Sequence, residues 1–362
     1  MFGSWQTRSM APNPSSEQAQ IEAVRERLRV AGAGEGEIAS AVTLVDLFRL
    51  SGEMGNRPEG QRMSLRAVAD AAGIPVELAR RFLVSAGLPA DDLDAAVWYS
   101  SDVAWMRDAH AAQAVFGDDA ILALFRRAGG AMSQLTSAAS SVFRVNLGAN
   151  PERELLVPME VVERNLGTRP LIDTFLLILN QLYRYHSRLS FREDSVAAGS
   201  HGELRAMAVG FVDLAASTEL GEQLSAAELA RVISEFNAAA FDAATRHGAR
   251  VVKTIGDEVM LCAVDPSAVV RAAMTLVEFC EQHSTFSAAR GGVAAGDVLE
   301  QDGDCYGPVV NRAARFVEAA PDGAVMADAG VCATLGSDLT ATTRPPVEHR
   351  GLGSVVWSEI TA

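Results

Sequence analysis

Three observations predict an α+β protein built from an all-α first half and a ferredoxin-like second half. From residue 17 to residue 189 apolar side chains recur at the helical period in one segment after another, whereas from residue 205 onward short apolar runs alternate with long amphipathic stretches. Between them lies Glu193 to Glu203, EDSVAAGSHGE, a small, polar stretch with two glycines and no apolar period. Net charge also divides unevenly, −11 for residues 201–362 against −4 for residues 1–200. The reading is therefore a flexible tail over 1–16, a helical domain over 17–192, a linker over 193–204 and an α+β domain over 205–362. A chain of 362 residues, 49% of them apolar, is long enough to bury two cores, which excludes a disordered or disulfide-stapled scaffold.

In the first half, Ile21, Val24 and Leu28 set a helix over 17–29, and Ile38, Ala41, Val42, Val45 and Phe48 set another over 37–50. Gly32, Gly34, Gly36 and Gly52 punctuate their ends. Ser64 to Pro89 reads as helix, turn at Gly73-Ile74-Pro75, and second helix, the shape of a helix-turn-helix. Further helices follow over 118–127, 132–144, 159–166 and 171–189.

In the second half, Met207 to Asp213, MAVGFVD, is a near-continuous apolar run that suits a buried strand. A helix spans Ala226 to His247, with Leu229, Val232, Phe236 and Ala240 on one face and Gly248 as its stop. A strand pair over 250–262, a helix over 267–283, a strand over 290–295 and a helix over 310–320 come next. Short strands over 324–327 and 355–360 close the domain. Strand, helix, hairpin, helix, strand is the ferredoxin-like order.

Composition narrows the function. Asp and Glu total 46 against 31 Lys and Arg, a net charge of −15 that suits neither a nucleic-acid coat nor a membrane-surface protein. Of the basic residues, 30 are Arg and one is Lys, at Lys253. The four cysteines, Cys262, Cys280, Cys305 and Cys332, lack the spacing of a zinc site or disulfide framework. No signal-peptide pattern stands at the N-terminus, and the apolar stretch 171–182 is interrupted by Asp173 and Asn180 and too short to span a bilayer. A cytoplasmic location follows, with peripheral membrane association left open.

Asp213 at a strand end and Asp257 in the turn of K-T-I-G-D-E place two carboxylates where neighbouring strands bring them together, an oxygen-only set suited to magnesium or manganese. After Asp213 the small residues Leu214-Ala215-Ala216-Ser217-Thr218 let backbone N–H groups approach a phosphate; Ser217 and Thr218 serve equally as helix caps. Further on stands Asp304-Cys305-Tyr306-Gly307-Pro308-Val309-Val310-Asn311-Arg312-Ala313-Ala314-Arg315.

With these anchors in this order, residues 205–360 resemble the class III nucleotidyl cyclases, whose catalytic domains carry a strand-end Asp, a K-T-x-G-D hairpin and D-x-x-G-x-x-x-N-x-x-x-R. The resemblance implies that Asp213 and Asp257 hold two cations, Mg2+ or Mn2+, per active site. It implies that Lys253 and Asp304 select the purine of ATP: a lysine donor to the ring N1 and a carboxylate accepting from the 6-amino group, where guanine presents a carbonyl. Asn311 and Arg315 match the residues that orient the ribose and neutralise the reacting phosphates; a spacing of four sets them on one helical face. Family members pair head to tail, and both half-sets on one chain imply a homodimer with two equivalent sites.

Two positions depart from the family pattern. Ser217 stands where an aromatic is common, and His349-Arg350-Gly351 replaces a C-terminal K-G context, so Arg350 is the candidate for the terminal phosphate. The helical half resembles the regulatory region of soluble mycobacterial-type holoenzymes, implying autoinhibition and control by pH or by a fatty acid or lipid. His110, His186 and His201 are the candidate proton sensors. The competing reading is a ligand-sensing DNA-binding regulator with an inactive cyclase-like half, suggested by residues 64–89. Asp70, Glu77, Asp91, Asp92 and Asp94 around that motif argue against phosphate contact.

Overall fold

The computed structural model describes residues 14–148, 158–196, 204–215, 224–283, 286, 288–349 and 353–362. The chain divides into two compact units, Met1–Arg188 and Leu189–Ala362.

The first unit runs α1 (Pro14–Val30), α2 (Glu35–Ser40), α3 (Leu44–Gly55), β1 (Arg62–Met63), α4 (Leu65–Ala72), α5 (Val76–Ser85), β2 (Trp98–Tyr99), α6 (Asp102–Phe116), α7 (Asp118–Gly148), α8 (Pro158–Leu166) and α9 (Arg169–Val196). It has two cores. Val24, Leu28, Leu47, Leu50 and Val162 join α1, α3 and α8. Leu65, Phe82, Met106 and Ile121 join α4 to α7, with Phe82 stacked on Phe125 at 5.2 Å between ring centroids.

Several boundaries differ from expectation for local reasons. The helix expected over 37–50 is two, because Thr43 caps α3: its hydroxyl accepts from the Asp46 N–H while Asp46 accepts from the Thr43 N–H. The helices expected over 118–127 and 132–144 are one, α7, despite Gly129-Gly130. A side chain at Gly129 would meet the Ala86 carbonyl oxygen at 2.1 Å, so that glycine serves close helix packing. At the N-terminal end α1 already begins at Pro14, and residues 1–13 lie outside the described ones. At the other end α9 continues to Val196, into the expected linker, since no Gly or Pro stands between Pro170 and Gly199. The β1–β2 pair, Arg62 opposite Tyr99, and α6 carried no periodic signal that was read as an element.

The helix-turn-helix is present as α4 and α5, joined through Gly73 at φ 74°. Its arginines are engaged: Arg80 Nε donates to Glu77 at 2.9 Å, Arg81 lies 3.9 Å from Asp118, and Arg66 pairs with Asp94 at 3.1 Å.

The second unit is α+β: β3 (Leu204–Leu214), α10 (Ala226–His247), β4 (Arg250–Ile255), β5 (Glu258–Ala263), α11 (Pro266–Gln282), β6 (Ala289–Gln301), β7 (Asp304–Tyr306), α12 (Pro308–Ala319), β8 (Val325–Ala327), α13 (Ala329–Cys332), β9 (Thr340–His349) and β10 (Gly353–Thr361). The sheet order is β4-β5-β3-β6-β8-β10-β9, with β7 beside β6, and only β6–β8 is parallel. Ferredoxin-like order therefore holds from β3 to β6, while β7, α13 and β9 are additional to the expected elements.

Alternation along β3 sets the layers. Ala208, Val212 and Leu214 pack against α10 and α11. Met207, Val209 and Phe211 pack on the opposite face, against Val309, Ala313 and Val317 of α12. Asp213 falls in the second series. Two glycines allow close approach: a side chain at Gly210 would lie 2.6 Å from Val269 Cγ1, and one at Gly292 would lie 2.5 Å from the Ala313 carbonyl oxygen.

Candidate active site

The β4–β5 hairpin turns through Gly256 and Asp257, with Ile255 opposite Glu258 and Gly256 at φ 66°, a conformation that favours glycine. The turn reaches the end of β3, where the Leu214 N–H donates to the Asp257 carbonyl oxygen at 3.3 Å. Asp213 is thus flanked in register by Glu258 on β5 and Arg290 on β6.

This corner is crowded with negative charge. Burial raises the Asp213 carboxyl above its ordinary value and the neighbouring Asp257 charge adds to the rise, while Arg290, donating from Nη2 to Oδ2 at 3.3 Å, partly offsets both. Glu258 is pushed up to about 7 by burial and then by the charges of Asp213, Asp257 and Glu318. Neither Arg290 nor Glu258 was anticipated from sequence. Glu258 is visible in K-T-I-G-D-E, but only strand register sets it and Arg290 across from Asp213.

A second turn carries Asp304. The β6–β7 hairpin reverses through Asp302 at φ 57° and Gly303 at φ 78°, the Asp-Gly pairing that a two-residue hairpin turn prefers, with Gln301 opposite Asp304. Arg250 anchors this turn, donating to the Gly303 carbonyl oxygen at 3.3 Å and pairing with Glu300 at 2.5 Å, and Arg205 holds the other Glu300 oxygen at 3.0 Å. Lys253 Nζ donates to Asp304 Oδ2 at 2.6 Å, and the Cys305 N–H donates to Oδ1 at 2.8 Å. Burial alone would raise the Asp304 carboxyl, but the Lys253 hydrogen bond, the Cys305 N–H and the lysine charge together hold it below the usual carboxylate range.

Gly307, at φ 123°, turns the chain into α12, and Pro308 starts the helix. Asn311 and Arg315 lie on its exposed side, and the Arg315 guanidinium donates from Nη1 to both Glu318 oxygens at 2.6 Å. Arg312, between them, points inward to Asp328 at 2.9 Å and to the Ala295 carbonyl oxygen at 3.3 Å. The structure thus brings Lys253 to Asp304 and Asp213 to Asp257, and sets Asn311 and Arg315 one turn apart. Ser217, Thr218 and Arg350 lie outside the described residues.

The family model for the adenylate and guanylate cyclase catalytic domain matches residues 200–358. An adenylate cyclase of Streptomyces coelicolor is 31% identical over 267 residues, covering 72% of this chain and 68% of that protein. The chain belongs to the class III nucleotidyl cyclases.

The similarity of this cyclase to other proteins extends beyond the catalytic half. An uncharacterized Mycobacterium tuberculosis protein is 29% identical over 315 residues, 86% of this chain and 82% of that one. A pH-sensitive adenylate cyclase of Mycobacterium tuberculosis is 27% identical over 290 residues, 77% of this chain and 71% of that one. Matches of such length include much of the helical unit of this cyclase.

Proposed function

We propose that the chain converts ATP to 3',5'-cyclic AMP and pyrophosphate, two copies pairing head to tail so that each active site takes residues from both. The observation that carries the choice of base is the Lys253–Asp304 contact at 2.6 Å. An ammonium has three donors and a carboxylate about four lone-pair sites, so the pair clamps an adenine edge without first separating: Lys253 donates to N1 and Asp304 accepts from the 6-amino group. Guanine presents a carbonyl to Asp304 and leaves both groups mispaired.

Asp213 and Asp257 fit a divalent cation pair, because burial and the neighbouring Asp257 charge already oppose ionisation of Asp213 and Arg290 offsets only part of that effect. Bound there, Mg2+ or Mn2+ would supply Lewis-acid charge to the triphosphate and the ribose 3'-hydroxyl. Asn311 orients the ribose, so that the 3'-oxygen faces the α-phosphorus in line with the leaving pyrophosphate. Arg315 exchanges Glu318 for a phosphate oxygen and neutralises charge that develops there. Ser217 and Thr218 belong to the triphosphate-binding loop and Arg350 takes the terminal phosphate.

The helical unit over 17–192 is the regulatory module, and a pH-sensitive adenylate cyclase among the relatives supports pH as its signal. His110, whose Nδ1 lies 3.2 Å from Gln113 Oε1, and the exposed His186 are its candidate sensors; His201 lies outside the described residues. The pocket lined by Glu37, Asp46, Arg49 and Glu53 is mostly charged, with only Ala41 and Leu50 as apolar lining, which suits a fatty-acid chain poorly. The DNA-binding reading is disfavoured by the carboxylates that occupy Arg66, Arg80 and Arg81.

The test is direct: incubate the purified chain with ATP or GTP and Mn2+ or Mg2+, and measure both cyclic nucleotides. Cyclic AMP from ATP with little cyclic GMP supports the reading; equal use of both, or neither product, refutes it.

A further inference from the structure

Arg250 and Lys253 stand three residues apart on β4, a spacing that points side chains of a regular strand to opposite faces. Both nevertheless reach the β6–β7 hairpin: Arg250 donates to the Gly303 carbonyl oxygen at 3.3 Å, and Lys253 donates to the next residue, Asp304, at 2.6 Å. Between them the β4–β5 ladder shifts register, from Val251 to Lys253, an irregularity of the kind that re-aims a side chain. Two consecutive residues at the end of one turn are thus held by two cations of one strand.

The carboxylate that completes this arrangement is Glu300 on β6. Its Oε1 accepts from Arg250 Nη2 at 2.5 Å and its Oε2 from Arg205 Nη1 at 3.0 Å, so a single side chain ties β6 to β4 and to β3. In the β6–β7 pairing Glu300 stands opposite Cys305, whose N–H donates to the second Asp304 oxygen at 2.8 Å. Asp304 therefore lies between Gly303, which Arg250 holds, and Cys305, which pairs with Glu300. The Arg205 and Glu300 side chains are only 20% and 22% exposed. Removing the carboxylate would leave two largely buried guanidinium groups without the anion that joins them, a costlier loss than that of an exposed ion pair.

We infer that Glu300, braced by Arg205 and Arg250, is the positioning residue that sets Asp304 against Lys253 and thereby sets the preference for adenine over guanine. The inference rests on the reading of Lys253 and Asp304 as the base-selecting pair. Glu300 acts through Asp304 and touches no nucleotide.

Two readouts on the full chain test it. The first needs no nucleotide: Lys253 is the one lysine, so its rate of reductive methylation, followed by mass spectrometry of the peptide that carries it, reports how firmly Asp304 holds it. Glu300→Gln and Arg250→Met, in proteins whose circular dichroism and Tm match the parent, are each expected to raise that rate about threefold or more, toward the rate of Asp304→Asn. The second readout is steady-state kinetics with ATP and with GTP. Glu300→Gln is expected to raise KM for ATP about 10-fold while lowering kcat less than about threefold, and to narrow the ATP-to-GTP ratio of kcat/KM about 10-fold. Arg250→Lys keeps the charge but lacks the fork that reaches Gly303 and Glu300 together, and should recover part of what Arg250→Met loses. If Glu300→Gln does not fold, Arg250→Met carries the same two readouts. A methylation rate unmoved by both substitutions overturns the positioning role. A fall in kcat alike for both nucleotides, with their ratio unmoved, also overturns it and assigns Glu300 to stability alone. Faster methylation in the variants beside a parent that uses ATP and GTP equally would leave Glu300 as the brace of Asp304 and overturn the base-selecting reading instead, so the two failures are distinguishable.

Discussion

The ammonium of Lys253 and the carboxylate of Asp304 meet at 2.6 Å across two hairpins that are 51 residues apart in sequence. Lys253 stands one residue beyond a register shift in the β4–β5 ladder, and Asp304 follows a tight Asp302-Gly303 turn, so each side chain is aimed by backbone geometry rather than by a flexible loop. Breaking the pair from either side strands a charged partner. Lys253→Glu combined with Asp304→Cys is expected to lower kcat/KM for ATP by about 100-fold or more and to admit GTP, if the pair is the determinant of base choice that we propose. Steady-state kinetics with both nucleotides check it, and unchanged ATP kinetics would refute the assignment.

Lys253 is also the one lysine in the chain. Reductive methylation with labelled formaldehyde therefore yields a single lysine side-chain resonance beside that of the N-terminal amine. Titration with ATP is expected to shift that resonance, and ATP added before the reagent is expected to slow methylation of the unprotonated Lys253 amine. A resonance indifferent to ATP would remove Lys253 from the base pocket.

Arg290 is expected to act as a positioning residue for Asp213. Arg290→Ala should lower kcat/KM by about 10- to 100-fold, the range seen when a partner that orients a metal-binding carboxylate is lost. It should also move the acid limb of the pH profile upward, because removing the guanidinium takes away the contact that opposes the rise at Asp213. Arg290→Lys should recover part of both effects. A profile unmoved by either substitution would deny the role.

Glu258 makes the cation-free chain sensitive to pH. Its folded value of about 7 lies above the ordinary carboxylate range, so protonation is favoured in the folded state. Its contribution to stability is fully present at acid pH, below its unfolded value, and is lost as pH rises through about 7. Glu258→Gln should flatten that dependence and stabilise the chelator-treated protein at pH 8 by roughly 1–2 kcal/mol, a figure already discounted for its partial exposure. Urea unfolding at several pH values measures it, and parallel pH curves for the two proteins would contradict it.

The close approach of α12 to β6 predicts a stability effect independent of chemistry. Gly292→Ala places a methyl group 2.5 Å from the Ala313 carbonyl oxygen and 2.6 Å from the Val317 nitrogen, both backbone atoms. A loss of about 2 kcal/mol is expected, a fall in Tm of roughly 4–8 °C for a unit of this size. Calorimetry showing no change would mean that α12 sits further from the sheet.

Much of this architecture is legible in the sequence because local chemistry agrees with it. Helix α10 runs from Ala226 to His247 as the apolar period and Gly248 predict, and its Ser225–Glu228 capping box secures its start. The K-T-I-G-D-E hairpin is visible because Gly256 must turn where Asp257 must be presented. What escaped depends on contacts distant in sequence. Nothing local tells that Gly129 meets Ala86 and so leaves α7 unbroken, or that Arg290 and Glu258 fall opposite Asp213 on two different strands. Strand β9 escaped as well, since Arg344-Pro345-Pro346 in its middle argues against a strand, yet among the described residues β9 pairs on one side only, with β10. An edge strand tolerates proline because its outer N–H groups carry no ladder bond.

The central claim is that the chain makes cyclic AMP at sites shared between two copies, the aspartates Asp213 and Asp257 from one and Lys253, Asp304, Asn311 and Arg315 from the other. Its most direct test co-expresses an Asp213→Ala chain with an Asn311→Ala chain and measures cyclic AMP formed from ATP. Each variant alone is predicted to be inactive, and the mixture to regain about a quarter of wild-type activity, since random pairing makes half of the dimers mixed and each of those holds one intact site of two. A mixture as inactive as its parents would contradict the shared site.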